Sequence, residues 1–273
     1  MTELPADPRL QVDLKERVAT LTLADPSRRN ALDPSLADAL AQALAQASEA
    51  ADVAVVVVTG APPAFCAGAA LAELQAIAGL AADEPGQQER LRRLRRLYAP
   101  FLALRACPKP TLALVDGAAV GAGLNLALAA DVVLATPRSL FMTGFDRLGL
   151  HPGGGCSAML SARVGPQRAA AALLFGQPFD GRQAADSGLA FACVPEAELA
   201  ARGRALAREV ASGVDPMMRA TKATLRLSDP PELEAIVEHE LFAQAASTLW
   251  SETRQRLAAA AARVAAKARG ETL

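Results

Sequence analysis

Two stretches decide the fold: Phe65-Cys66-Ala67-Gly68-Ala69 and Val120-Gly121-Ala122-Gly123-Leu124-Asn125, each directly after a short apolar run. Glycine tolerates crowded or left-handed backbone and lets another segment come close. The segment after Gly121 reads as a helix start, where unsatisfied N–H groups and the helix dipole favour negative charge. Two such turns, in this order and separated by helical sequence, have the means to aim the amides of Ala69 and Ala122 at one oxygen. A thioester carbonyl that gains negative charge as an enolate needs such a pair of pre-aimed donors. Taken singly, each glycine turn is equally what helix packing alone would use.

Working outward, the runs Val53 to Val58, Thr111 to Val115 and Val132 to Ala135 are apolar, largely β-branched and separated by helical sequence. They predict buried, mostly parallel strands joined by helices. Leu10 to Leu14 and Val18 to Leu23 alternate apolar and polar residues around Lys15, Glu16 and Arg17, which predicts a β-hairpin. Pro34 to Ala50 carries Leu36, Leu40 and Leu44 at helical spacing, with Asp33 as N-cap and Pro34 at the first position. The charged segment Glu84 to Arg96, punctuated by Pro85 and Gly86, reads as a mobile lid or surface excursion that becomes helical. Beyond Pro195 the chain is almost wholly helical, broken at Gly213, Pro216, Pro230 and Pro231, and Ala258 to Ala268 is strongly helix-forming. The expected architecture is α/β, with a core over residues 1–195 and an appended helical region over 196–273.

With 28 basic and 29 acidic residues among 273, the chain has a net charge of −1 and no basic stripe, which excludes nucleic acid as a partner. Cys66, Cys107, Cys156 and Cys193 are widely spaced without a Cys-x-x-Cys pair, so neither zinc nor a disulfide framework is indicated and a reducing cytoplasm fits. Met1 to Leu10 lacks a basic start followed by an apolar segment, which argues against a secretory signal. The longest apolar run, Gly117 to Ala130, is interrupted by Asn125 and falls short of the ~20 residues needed to span a membrane. A serine hydrolase is excluded by the presence of only two histidines and the absence of a Gly-x-Ser-x-Gly elbow.

The sequence resembles the crotonase family, also called the enoyl-CoA hydratase/isomerase family. The resemblance rests on Arg29-Asn30-Ala31-Leu32, on Ala64-Phe65-Cys66-Ala67-Gly68-Ala69, and on Lys109-Pro110 leading through Val115-Asp116-Gly117 to Gly123. It continues through Leu126 to Asp131, Leu148-Gly149-Leu150-His151-Pro152-Gly153-Gly154-Gly155 and Ala184-Ala185-Asp186-Ser187-Gly188-Leu189. It implies a crotonase-like ββα spiral core, a C-terminal helical trimerisation region, and a homotrimer or dimer of trimers. By position, it implies that the amides of Ala69 and Ala122 hold the oxygen of an acyl-CoA thioester. Arg28, Arg29 and Ala31 would follow the CoA nucleotide, and Ala67, Ala69 and Leu71 would line the adenine and pantetheine path. Gly123 and Gly153 would also contact substrate. No metal and no cofactor beyond the CoA of the substrate is implied.

The departures from the family pattern bear on the reaction. The family's hydratases use two glutamates as acid and base, and those positions hold Asn125 and Phe145. An amide can orient a water but cannot take its proton, and a phenyl ring can do neither. Since one acid or base is worth ~10²–10⁴ in rate, the nominal hydration of 2-enoyl-CoA in fatty-acid metabolism is expected to be weak or absent. The family's frequent Asp after the glycine turn is Ala70, and a helix-face Phe near the C-terminus is an Ala. His151, before Pro152-Gly153, is the first candidate to substitute, because imidazole titrates near neutral pH; it could equally pack the glycine turn. Asp146 adjoins the Phe145 position but should point elsewhere. Asn125 is expected to line the pocket. His239, between Glu238 and Glu240, reads as a solvated helix face, and nothing selects Ser157 or Thr143. Two alternatives stay open: isomerisation, decarboxylation or thioester cleavage through His151 or Asp146, and acyl-CoA binding without catalysis.

Overall fold

The computed structural model of the protein describes residues 7–227 and 233–269. The expected breaks at Pro230 and Pro231, and Met1 to Ala6 of the stretch weighed as a signal, lie outside the described residues.

The chain opens with β1 (Leu10–Lys15) and β2 (Val18–Leu23), antiparallel with Leu10 opposite Leu23. A short 3-10 turn, Pro26–Arg28, leads to α1 (Pro34–Glu49). Asp33 caps α1 by accepting from the Leu36 amide at 3.0 Å, and Leu36, Leu40 and Leu44 point into the core as their spacing requires. β3 (Val55–Gly60) begins two residues later than expected, because the Ala54 and Val55 amides are first used on the Arg17 carbonyl. β4 (Ala64–Cys66), α2 (Leu71–Ala78) and α3 (Glu84–Ala106) follow.

The expected lid is instead the first half of α3. Asp83 caps the helix on the Gly86 amide at 2.9 Å, and Pro85 sits in the first turn, where its missing N–H leaves nothing unpaired. Arg90 is fully buried, with its guanidinium donating to the Leu80 carbonyl at 3.0 Å. Leu94, Leu97, Tyr98, Phe101 and Leu104 complete a buried stripe along α3. Proline and glycine here mark a helix start, not a loop.

Next come β5 (Thr111–Val115), β6 (Ala118–Val120), α4 (Ala122–Ala129), β7 (Val132–Ala135), β8 (Leu140–Met142) and α5 (Phe145–Leu148). Then follow α6 (Cys156–Val164), α7 (Pro166–Phe175), β9 (Phe179–Asp180), α8 (Gly181–Ser187) and β10 (Ala192–Cys193). The strands form a six-stranded sheet, β1-β2-β3-β5-β7-β10, parallel from β2 onward, and a four-stranded sheet, β4-β6-β8-β9. Each turn of the spiral adds one strand to each sheet: β3 then β4, β5 then β6, β7 then β8. The strands β4, β6 and β8 are parallel neighbours. Each is followed by a glycine at positive φ (Gly68 at 92°, Gly121 at 53°, Gly144 at 68°) and then a helix. Three equivalent rungs therefore present Ala69, Ala122 and Phe145 at the same edge.

The helices α9 (Glu196–Ala211), α10 (Asp215–Arg226), α11 (Leu233–Ser247) and α12 (Ser251–Ala268) end the chain. α9 covers the large sheet, with Leu199, Ala207 and Ala211 packed on Val55, Val57, Leu112 and Leu114. α11 lies along α3, and α12 lies along α2 and α5. Among the described residues no helix is long and apolar enough to cross a membrane.

Candidate active site

The two glycine turns that open the argument are in contact. A Cβ on Gly68 would lie 2.6 Å from the Val120 carbonyl, and one on Gly123 would run into the Cys66 carbonyl. Side chains at either position would force β4 and β6 apart. Asn30, in the left-handed region at φ 57°, secures the near side: its Nδ2 donates to the carbonyls of Ala61 at 2.9 Å and Ala64 at 2.7 Å, and its Oδ1 accepts from the Asp25 amide. The Ala67 amide donates to Arg29, the Leu32 amide to Gly68, and the Ala70 amide to Leu32, which stitches residues 29–32 along 67–70. In that stitched edge the Ala69 amide is left over, pointing away from the pairing. The Ala122 amide heads α4 and likewise donates to no acceptor among the described residues. Both residues are half-buried. Two free amides thus sit on adjacent rungs, the arrangement needed to stabilise a developing oxyanion.

Arg28 is exposed and paired to Asp25 at 2.9 Å and Asp33 at 3.2 Å, Arg29 is exposed, and Ala31 and Ala67 are half-buried on the stitched edge. Leu71 opens α2 and packs on the core; Ala70 gives α2 no side-chain cap.

Asn125, on the first turn of α4, is buried, and its Nδ2 donates to the Gly153 carbonyl at 2.8 Å while its Oδ1 has no partner among the described residues. Phe145 is half-buried and packs on the core. The Asp146 carboxylate turns away toward the end of α7, where a Cβ on Gly176 would lie 2.5 Å from it. The His151 ring bonds to the Pro152 carbonyl through Nδ1 at 2.7 Å and meets His239 edge-on at 6.2 Å. His239 is exposed as expected. The Thr143 hydroxyl donates to the Ala172 carbonyl at 3.0 Å, and that of Ser157 to Glu240.

Sequence reasoning missed what holds the loop 151–157. Glu240, Gln244 and Ser247 lie on one face of α11 and are all buried. Glu240 accepts from the amides of Gly155 at 2.6 Å, Cys156 at 3.0 Å and Ser157 at 3.0 Å. Gln244 donates to the His151 carbonyl at 2.9 Å and accepts from the Tyr98 hydroxyl at 2.5 Å. Ser247 accepts from the His151 amide at 3.1 Å. The spacing of these three polar residues, at positions 240, 244 and 247 of one helix face, is the available signal; in the sequence Glu240 is masked by its neighbours Glu238 and His239, which are exposed. With both oxygens occupied by several donors, Glu240 is not a free base. Burial, reinforced by the Glu240 carboxylate, holds the Tyr98 phenol well above its ordinary value, so it stays a neutral donor. Burial pushes the Cys66 thiol up to about 12 and raises Cys156 as well, so neither is a nucleophile at neutral pH. No cluster of three potential metal-binding side chains occurs among the described residues.

A cavity of about 740 Å³ lies on the far side of Gly154, among Leu102, Cys107, Met159, Lys222 and Val237. It does not include Ala69 or Ala122. Of its lining cations, Lys222 and Arg226 are paired to Asp131 at 2.6 and 2.8 Å, and Arg219 to Asp215 at 3.0 Å.

The spiral of ββα turns with two free amides at its strand ends is the architecture of the crotonase fold. A solved enoyl-CoA hydratase from Mycobacterium avium subsp. paratuberculosis K-10 superposes with a TM-score of 0.82 at 29% identity, covering 93% of this chain and 96% of its own. Residues 13–257 match the family model "Enoyl-CoA hydratase/isomerase". The "Probable enoyl-CoA hydratase EchA14" of Mycobacterium tuberculosis is 47% identical over 265 residues, 93% of this chain and 97% of that relative. The 1,2-epoxyphenylacetyl-CoA isomerase of Escherichia coli K12 is 32% identical over 200 residues, 73% of this chain and 74% of its own length. The chain belongs to the enoyl-CoA hydratase/isomerase family.

Proposed function

We propose that this family member binds an acyl-CoA thioester, holds its carbonyl oxygen between the Ala69 and Ala122 amides, and stabilises the enolate without ordinary hydratase chemistry. The observation that carries this is the pair of free amides on adjacent rungs beside an Asn125 whose side-chain nitrogen donates to the Gly153 carbonyl. Preorganised backbone donors cost no reorganisation as charge develops on the oxygen. Syn addition of water needs a group that takes a proton from water and one that delivers a proton to carbon. The amide of Asn125 and the ring of Phe145 do neither. What remains is chemistry that an enolate-stabilising pair supports: isomerisation, decarboxylation or thioester cleavage, with His151 or Asp146 as the ionisable candidates.

A second reading, acyl-CoA binding without turnover, is favoured by the bonding of those two candidates: His151 is tied to its own loop and α11, and Asp146 faces α7. The same proposal includes a cytoplasmic homotrimer or dimer of trimers, with residues 1–195 as the acyl-CoA core and 196–273 as the helical region. Exposed Leu174, Phe175 and Phe191 are apolar surface that another copy would cover.

The test gives the purified protein short- and medium-chain 2-enoyl-CoA esters, following loss of the conjugated double bond and, separately, binding by calorimetry. Binding is expected, with turnover at least ~10²-fold below that of a glutamate-bearing relative. Comparable turnover would overturn the reading, and so would failure to bind any acyl-CoA.

A further inference from the structure

We infer that Glu240 is a positioning residue for the acyl-thioester site, acting through the Gly153-Gly154-Gly155 loop on Asn125; this rests on the function proposed above. α11 meets the loop with a row of hydrogen bonds to backbone. Ser247 and Gln244 take the amide and carbonyl of His151, and Glu240 takes the amides of Gly155, Cys156 and Ser157. Between these two grips lies Gly153, whose carbonyl accepts from the Asn125 side chain at 2.8 Å, that side chain's only partner among the described residues. Gly153 itself has no room to move toward α11, because a Cβ there would collide with the Tyr98 hydroxyl and the Gln244 amide. Gly154 is confined likewise by the Phe101 ring, 2.5 Å from where its Cβ would be.

The chemistry of the grip explains why an acid is used. The first amides of α6 have no acceptor within the helix, and the N-cap, Gly155, has no side chain to cap them. A carboxylate from another helix accepts all three and complements the positive end of the α6 dipole. Three consecutive amides held by one carboxylate fix the peptide planes 154–155, 155–156 and 156–157, and the next plane back carries the Gly153 carbonyl that Asn125 meets at 2.8 Å. Asn125 follows that carbonyl, and Asn125 stands on the same turn of α4 as the Ala122 amide. A polar row buried against the core is costly unless fully bonded, and hydrocarbon side chains at these positions would leave the loop amides without acceptors. Glu240 and Gln244 instead fix the loop in one conformation.

The experiment uses the full chain and compares wild type, Glu240→Gln, Asn125→Ala and the double variant. Calorimetry reads the affinity for butanoyl-CoA and for free CoA in each. Glu240→Gln is expected to leave free CoA binding within about twofold while reducing the advantage of butanoyl-CoA over CoA about tenfold, since a glutamine offers one acceptor oxygen where the carboxylate offers two. The double variant is expected to lose no more of that advantage than Asn125→Ala alone, because both act on one carbonyl. A lower melting temperature with the butanoyl advantage intact, or additive losses in the double variant, would overturn the inference. Should Glu240→Gln not fold, Ser157→Ala, which removes one donor from Glu240, carries the same expectation with a smaller loss, and an unchanged advantage there overturns it too. If wild type shows no advantage of butanoyl-CoA over CoA, the proposed function itself fails and takes this inference with it; failure in the variants alone leaves the function standing.

Discussion

Asn125 is bonded to a carbonyl, which fixes its orientation: Gly153 oxygen can only accept, so the amide nitrogen must face it and the oxygen must be the free atom. A carboxylate of the same shape would set oxygen against oxygen. Asn125→Asp is therefore expected to cost about 3 kcal/mol at neutral pH by urea unfolding, the price of a buried unpaired charge and carbonyl. A loss below ~0.5 kcal/mol would show that the bond contributes nothing. That an Asn and a Phe follow the second and third glycine turns was legible in the sequence, because the turns can be recognised without a structure. What Asn125 binds was not legible, since its partner lies 28 residues away on a loop whose path depends on α11. Asn30 shows the same limit: it stands in a recognisable motif, but its bonds to Ala61 and Ala64 are made only once β3 and β4 are in place.

At the scale of elements, the register of β4 against β6 is what brings Ala69 and Ala122 side by side, and Gly123 is the tightest point of that contact. Gly123→Ala puts a methyl group into the Cys66 backbone carbonyl, so α4 and β4 must separate. It is expected to lower the melting temperature by several degrees, equivalent to about 1–3 kcal/mol of overpacking, and to abolish acyl-CoA binding measured by calorimetry. Gly79→Ala is the contrast: Gly79 ends α2 with ordinary right-handed backbone and a nearest neighbour 3.3 Å away, and the change should leave binding as it is. Binding retained in Gly123→Ala would disconnect this contact from the site. The strands and α1 were readable because period and capping are local. α3 was not, because Pro85 and Gly86 carry the same local signal in a loop as in a first helical turn, and only the burial of Arg90 against Leu80 distinguishes them.

Across the whole molecule, one cationic side chain ties the first hairpin to α1. Arg9 bonds Asp7 at 2.5 Å and Asp33 at 2.6 Å, and lies 3.5 Å from Asp25. Hydrogen bonds from Arg9 hold Asp7 and Asp33 below the usual carboxylate range. Burial pushes Asp25 upward, but donors from Ser27, Arg28 and Arg9 outweigh it. Because these carboxyls are depressed in the folded state, their contribution is complete above their unfolded value of ~4 and is lost as pH falls toward the folded values. Arg9→Met removes the cation and keeps the stem, so acid unfolding followed by circular dichroism should move to higher pH by at least about half a unit. An unchanged midpoint would show that the cluster contributes nothing to acid resistance.

The three rungs formed by β4, β6 and β8 carry a consequence for how such a scaffold diversifies. Ala69 and Ala122 offer only main-chain groups, which survive almost any change of side chain, whereas the third rung offers whatever residue 145 happens to be. Grip is thus written in the backbone and reactivity in a replaceable letter. Residue 145 can change, here to a phenyl ring, without altering the two main-chain groups on the neighbouring rungs.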